Sequence, residues 1–339
     1  MPRLLFLVSS AREMQLADGS DYETGYFADE ALTPYERFIE AGVDVVVATP
    51  DGLSPYADPY GLEEIFHYPD DDEDFLNSIT RTFAHDVDDI RLTLRHLTEL
   101  GMISAARVFA HLKEAGMHPV EARKLISGAA FASWRNDTQF LDALEAEDLP
   151  ESVTRADLEG ALAEVLADSL AESQRVKDAL DSLPGFVSPA NLSTMTDEEI
   201  AGFDAVFVPG GHGPMVDMAD NPDVTRVIGI LHEKQAAIAS VCHGPAFLLS
   251  APANMDGQWL FDGYRVTSFT DEEEDQTRPG QQGLSWYLES ALRNAGAVFD
   301  DGRSAWSSHV VVDRNLITAQ NPGSADAVAD AVLKSLEVL

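Results

Sequence analysis

Apolar residues run almost unbroken from Leu4 to Val8 and again from Val43 to Ala48, with Leu32, Tyr35, Phe38 and Ile39 at helical spacing between them. A wholly apolar strand stays dry only where both faces of its sheet are covered. Strand, amphipathic helix and strand in this order therefore predict a βαβ unit in a parallel sheet. The helix is expected over residues 30–41, after a polar loop that ends near Gly25. The alternation returns late in the chain. Ala205–Pro209 reads as a strand, Thr225–Glu233 as a helix, Ala236–Val241 as a strand, and a further helix is expected after Pro245. Val310–Val312 and Leu316–Ala319 predict a hairpin, and Ala325–Leu336 a last amphipathic helix. The fold class is α/β: three layers around a mostly parallel sheet.

Between these halves the pattern changes. From about Phe83 to Leu183 the periodicity is helical and strand signals vanish. Thr154 and Asp157 form a candidate capping box ahead of a long helix with Leu158, Leu162, Val165 and Leu166 on one face. Gly116 and Pro119 punctuate an earlier helix pair. The acid run Asp70–Asp74 lacks the glycine and spacing of a calcium loop and reads as solvated. The expected organisation is a core of residues 1–66 and 185–339, with 67–184 as a helical insertion that serves as a lid or an oligomer contact.

Composition narrows the setting. The formal net charge is −37 over 339 residues, with five lysines against 17 arginines. Nucleic acid and anionic membrane would be repelled, so neither is an expected partner. Self-repulsion on this scale destabilises a compact chain unless salt screens it, which predicts adaptation to a salty cytoplasm. One cysteine excludes an internal disulfide framework and any multi-cysteine zinc site. His67, His85, His96, His111 and His118 lie in or near the insertion without tight pair spacing, so no metal is expected. The apolar start is too short for a secretory signal, and a soluble, cytoplasmic protein is expected.

That single cysteine, Cys242, ends the strand Ala237–Val241 and opens the sharp turn Cys242, His243, Gly244, Pro245. A nucleophile between strand and helix sits on a strained elbow, with small neighbours leaving room for the turn. The bland alternative is a small buried hydrophobe. Gly210 and Gly211, after another strand, would let backbone amides approach a substrate oxygen as an oxyanion hole, together with the amide of His243. His212 is either a pocket residue or a surface-loop residue. Glu30 by itself reads as a helix-start acid favoured by the dipole.

Val206 to Gly213 (VFVPGGHG) followed by Val241 to Pro245 (VCHGP) resembles the ThiJ/PfpI superfamily of class I glutamine amidotransferase-like proteins. Thr24 to Pro34, Ala48 to Gly52, Asp58-Pro59, Val266 to Glu274 and Asp313 to Pro322 fit its other segments in order, over residues 3–66 and 185–337. The resemblance points to the branch of heat-inducible chaperones and glutathione-independent glyoxalases, and it implies a flavodoxin-like sandwich. It places Glu30 beside the Cys242 thiol as a protonated donor. It makes His243 the base of a triad with Cys242, oriented by an acid. The register counted from Phe269 puts Glu274 in that role, with Asp271, Glu272 and Glu273 crowding the same loop. Ser268 and Ala319 stand where the family commonly has glycine, and the insertion is longer than usual.

The resemblance implies an enzyme that converts 2-oxoaldehydes such as methylglyoxal to 2-hydroxyacids through a Cys242 hemithioacetal, with no cofactor. The absence of a dinucleotide fingerprint agrees. A small aldehyde and a second copy of the chain, forming a homodimer, are the expected partners. The alternatives are a holdase chaperone for unfolded proteins and, ranked lower, a cysteine peptidase or amidase.

Overall fold

A computed structural model describes residues 1–59, 61, 105–136, 138–147, 149–150 and 152–338. The chain divides into two compact units, 1–62 with 176–339, and 63–175. The acid run at 70–74 and His67, His85 and His96 lie outside the described residues.

In chain order the strands of the first unit are β1 (Arg3–Leu7), β2 (Glu13–Gln15), β3 (Asp21–Glu23), β4 (Asp44–Thr49), β5 (Ala190–Asn191), β6 (Ala205–Val208), β7 (Ala237–Val241), β8 (Arg265–Val266), β9 (Val298–Phe299), β10 (Val310–Asp313) and β11 (Leu316–Ala319). Seven of them form one sheet in the order β10-β11-β7-β6-β1-β4-β5. All its pairs are parallel except the β10–β11 hairpin. Successive strand side chains point to opposite faces. Leu4, Phe6 and Val8 therefore join one core with Phe38 and Val332, while Leu5 and Leu7 join the other with Val227 and Phe247. Both faces are covered, as the unbroken apolar runs require. The sheet grows outward from β1 in both directions, with β4 on one side and β6 on the other. In such sheets the crevice at the carboxyl ends of the strands, where the order reverses, is the natural ligand site.

Three local expectations change. The polar loop before Gly25 contains a small antiparallel hairpin, β2–β3. The helix after β1 spans Ala28–Glu40, so Glu30 sits in its first turn. The segment after Pro245 is not an α-helix but a 3-10 helix, Gly244–Ser250. Pro252 disfavours a helical Ala251, which is extended and ends the element early.

In the second unit, helices Ala105–Glu114, Pro119–Asn136 and Phe140–Glu145 share a core built on Val108, Leu112, Ile126, Phe140 and Leu144. The long helix Arg155–Ser182 opens on the capping box: the Thr154 amide donates to Asp157 at 2.7 Å and the Asp157 amide donates to Thr154 Oγ1 at 3.3 Å. Its last turns belong to the first unit, because Val176 and Leu180 are buried in that unit's core. The boundary of the compact unit thus lies before residue 184. Among the described residues, no helix is long and apolar enough to cross a membrane.

Candidate active site

β7 ends at Val241, and Cys242 takes φ +59°, a left-handed conformation that costs a non-glycine residue about 1–3 kcal/mol. Two hydrogen bonds hold it there. Its amide donates to the Ala319 carbonyl at 2.9 Å, and its carbonyl accepts from the Phe269 amide at 2.8 Å. In an extended strand Cys242 and His243 would point to opposite faces; the turn instead brings His243 Nδ1 to 3.3 Å from the sulfur. Gly244 follows because a Cβ there would stand 2.4 Å from the Val208 carbonyl oxygen.

The other nitrogen of His243, Nε2, lies 2.5 Å from Glu274 Oε2. Of the four acids in the loop, Glu274 is the one turned to the histidine. Glu273 is buried as a structural acceptor, taking the amides of Thr270 and Trp306 and the side chains of Gln320 and Asn321. Asp271 accepts from Ser290, and Glu272 is exposed. His212, in the turn ahead of the short helix Gly213–Asp217, is not a surface residue. It is buried, its Nε2 lies 2.8 Å from Glu274 Oε1, and its ring centroid is 3.9 Å from that of His243. No local signal could reveal this pair, because 62 positions separate its members.

The glycine turn is laced to the segment ahead of Glu30. The Phe27 amide donates to the Gly210 carbonyl and the Gly213 amide to the Gly25 carbonyl, each at 3.0 Å. Glu30 thereby reaches under the turn, where its Oε2 accepts the Gly210 amide at 3.0 Å. This revises the expected oxyanion hole, since the Gly210 amide is already engaged by Glu30. The Gly211 amide favours the ionised form of the Cys242 sulfur, which places it beside the reacting atom.

Burial raises the Glu30 carboxyl to about 8, against the smaller opposing effects of its hydrogen bonds with Cys242 and Gly210. It is therefore mostly protonated near neutrality, and its Oε1 is buried without a hydrogen bond of good geometry. Burial, then the charge and hydrogen bond of Glu30, push the Cys242 thiol well up. That shift favours the protonated thiol. Burial opposes charge on Glu274, but the two histidines outweigh it and hold the carboxylate ionised. For His212, burial is likewise outweighed by Glu274 and by the more distant Asp58, so its affinity for protons rises. Burial and the neighbouring His212 push His243 down to about 4 against the pull of Glu274. A neutral His243 that donates Nε2–H to a carboxylate has its Nδ1 lone pair toward the sulfur, the form a general base needs.

The donor atoms of His212, His243 and Glu274 lie within 4.8 Å of one another, a spacing compatible with a cation. Each imidazole Nε2 is engaged with its own Glu274 oxygen, which favours proton sharing over coordination. His111 and His118 lie outside this group.

The chain is 27% identical over 154 residues to glyoxalase 3 of Candida albicans, a match over 44% of this chain and 65% of that protein. It is 32% identical over 143 residues to the protein/nucleic acid deglycase HchA of Escherichia coli, over 40% of this chain and 46% of that protein. The chain thus spans less than two thirds of the length of these curated relatives. The crystal structure of Candida albicans glyoxalase III superposes with a TM-score of 0.56 at 19% identity, covering 99% of this chain and 97% of that one, which shows a shared fold. The DJ-1/PfpI family pattern matches residues 144–335, more than half of the sequence, and the chain belongs to the DJ-1/PfpI family.

Proposed function

We propose that the protein is a cofactor-independent enzyme of the glyoxalase III or deglycase type, converting 2-oxoaldehydes such as methylglyoxal to 2-hydroxyacids. The observation that carries this reading is the placement of a buried thiol within reach of both a neutral imidazole, at 3.3 Å, and a protonated carboxyl. The similarity to proteins named glyoxalase 3 and deglycase supports it.

The residues suit the steps. Cys242 Sγ adds to the aldehyde carbon as His243 Nδ1 takes the thiol proton, and the carbonyl oxygen takes up a proton to give a hemithioacetal. Glu30, with an affinity poised near neutral pH, and His243 then move one proton from the former aldehyde carbon to the adjacent carbon and one from the hemithioacetal hydroxyl to the neighbouring carbonyl oxygen. The product of that shift is a thioester of the 2-hydroxyacid. Water cleaves it, releasing the acid and restoring the thiol. Net, one water is added, one carbon is oxidised and its neighbour reduced, so no external redox partner is consumed.

The deciding experiment supplies methylglyoxal without glutathione and follows lactate. Turnover that disappears in Cys242→Ala supports the reading. Its absence in the folded wild-type protein, or its persistence in Cys242→Ala, overturns it. Suppression of aggregation by both proteins without turnover would favour a holdase.

A further inference from the structure

We infer that His212 is a positioning residue of the cysteine–histidine pair: by sharing the Glu274 carboxylate with His243, it ties the glycine turn to the acid and keeps the His243 imidazole in its neutral, Nε2–H form. The geometry is reciprocal. Glu274 Oε2 faces His243 at 2.5 Å, and Glu274 Oε1 faces His212 at 2.8 Å and accepts from Thr277 Oγ1 at 2.8 Å. All three charged or titratable side chains are buried. His212 directly follows Gly211, whose amide meets the sulfur, and stands two residues after Gly210, whose amide holds Glu30. One hydrogen bond from His212 therefore links the turn that places Glu30 and the thiol to the short helix, Asp271–Glu274, that orients the base.

The pairing also has an electrostatic effect. A single carboxylate can neutralise one imidazolium. A proton on His212 makes it the ion-pair partner of Glu274, and a second positive charge on the tilted His243 ring, 3.9 Å away, is then disfavoured. A proton that His243 takes from the thiol is then readily passed on. The groups acting on His212 are Glu274, His243 and Asp58, and those on His243 are Cys242, Glu274 and His212. Glu30 and Glu273 act on the sulfur.

The test reads protons on imidazole nitrogens in 15N-labelled protein by long-range 1H–15N NMR across the acid and neutral range. His212→Gln and His243→Gln assign the two signals among nine histidines. In the wild type, His243 should hold its proton on Nε2 and titrate near 4. Gln at 212 preserves an N–H toward Glu274 but removes the charge, so His243 should titrate higher by about one pH unit or more, a tenfold gain in proton affinity. An unchanged His243 titration in folded His212→Gln overturns the inference, because a merely structural His212 would leave it unmoved. If that variant does not fold, the wild-type spectrum decides. His212 carrying its proton on Nδ1 alone could not donate to Glu274, and the inference fails; a proton on its Nε2 supports it. Only the kinetic consequence rests on the 2-oxoaldehyde reading. There the acid limb of kcat/KM should move up in His212→Gln together with the NMR titration. A protein inactive on methylglyoxal would sink that reading while leaving the NMR test intact.

Discussion

The Gly210 amide donates to Glu30 Oε2 at 3.0 Å across 180 positions of sequence. This one bond sets the carboxyl beside the only thiol in the chain. It also means that two glycines serve different ends: Gly210 anchors the acid, and Gly211 meets the sulfur.

Glu30→Gln should keep the fold, because an amide oxygen can still accept from Gly210. Turnover should fall by about 10²–10⁴-fold, the usual worth of a positioned general acid–base. Steady-state kinetics on methylglyoxal checks this, and retention of near wild-type turnover would remove Glu30 from the mechanism.

Glu30 also links stability to pH. Its folded affinity, about 8, is raised above the ordinary carboxylate value of 4.5. The stability associated with the protonated form is complete below 4.5 and is lost as pH rises through about 8. Urea melts at mildly acidic and mildly alkaline pH should show wild type losing stability relative to Glu30→Gln over that window.

The pH dependence of kcat/KM should be bell-shaped. Neutral His243 is required, which sets an acid limb near 4, and protonated Glu30 is required, which sets an alkaline limb near 8. Glu30→Gln should abolish the alkaline limb. An alkaline limb that survives would assign it to another group.

Glu274→Gln removes the carboxylate that fixes the His243 tautomer. By analogy with the Asp-to-Asn change in a serine protease triad, kcat should fall by about 10³–10⁴. Circular dichroism and kinetics together separate this from unfolding.

Two glycine substitutions should act in opposite directions. A Cβ at Gly210 would stand 2.4 Å from Glu30 Oε2, 2.6 Å from Cys242 Cβ and 2.9 Å from the His243 amide nitrogen. Gly210→Ala should therefore cost about 1–3 kcal/mol and most of the activity. In the helix Pro222–Glu233, the nearest atom to a Cβ at Gly229 is Pro252 Cγ, at an ordinary 3.7 Å. Gly229→Ala should stabilise by about 0.5–1 kcal/mol through helix propensity. Chemical denaturation of both variants measures the contrast.

The net charge of −37 predicts a salt-dependent fold. The melting temperature should rise from low to molar salt, and a melt indifferent to salt would sink the idea of salt adaptation.

The sequence by itself determined six of the seven strands of the main sheet, because covering both faces of a parallel sheet demands apolar runs such as Leu4–Val8 and Val43–Ala48. Local spacing also revealed the Thr154–Asp157 cap and the break at Cys242, since turns and caps are written over three or four neighbouring residues. What only the tertiary structure decided involves groups far apart in the chain. Four adjacent acids competed for His243, and the choice fell to Glu274 because Thr270, Trp306, Gln320 and Asn321 draw Glu273 into a cap of their own. The engagement of the Gly210 amide and the pairing of His212 with Glu274 depend on partners 180 and 62 positions away, and the upward shift of the Cys242 thiol depends on burial and on Glu30. Burial sets the cost of charge, and no reading of neighbours along the chain contains it.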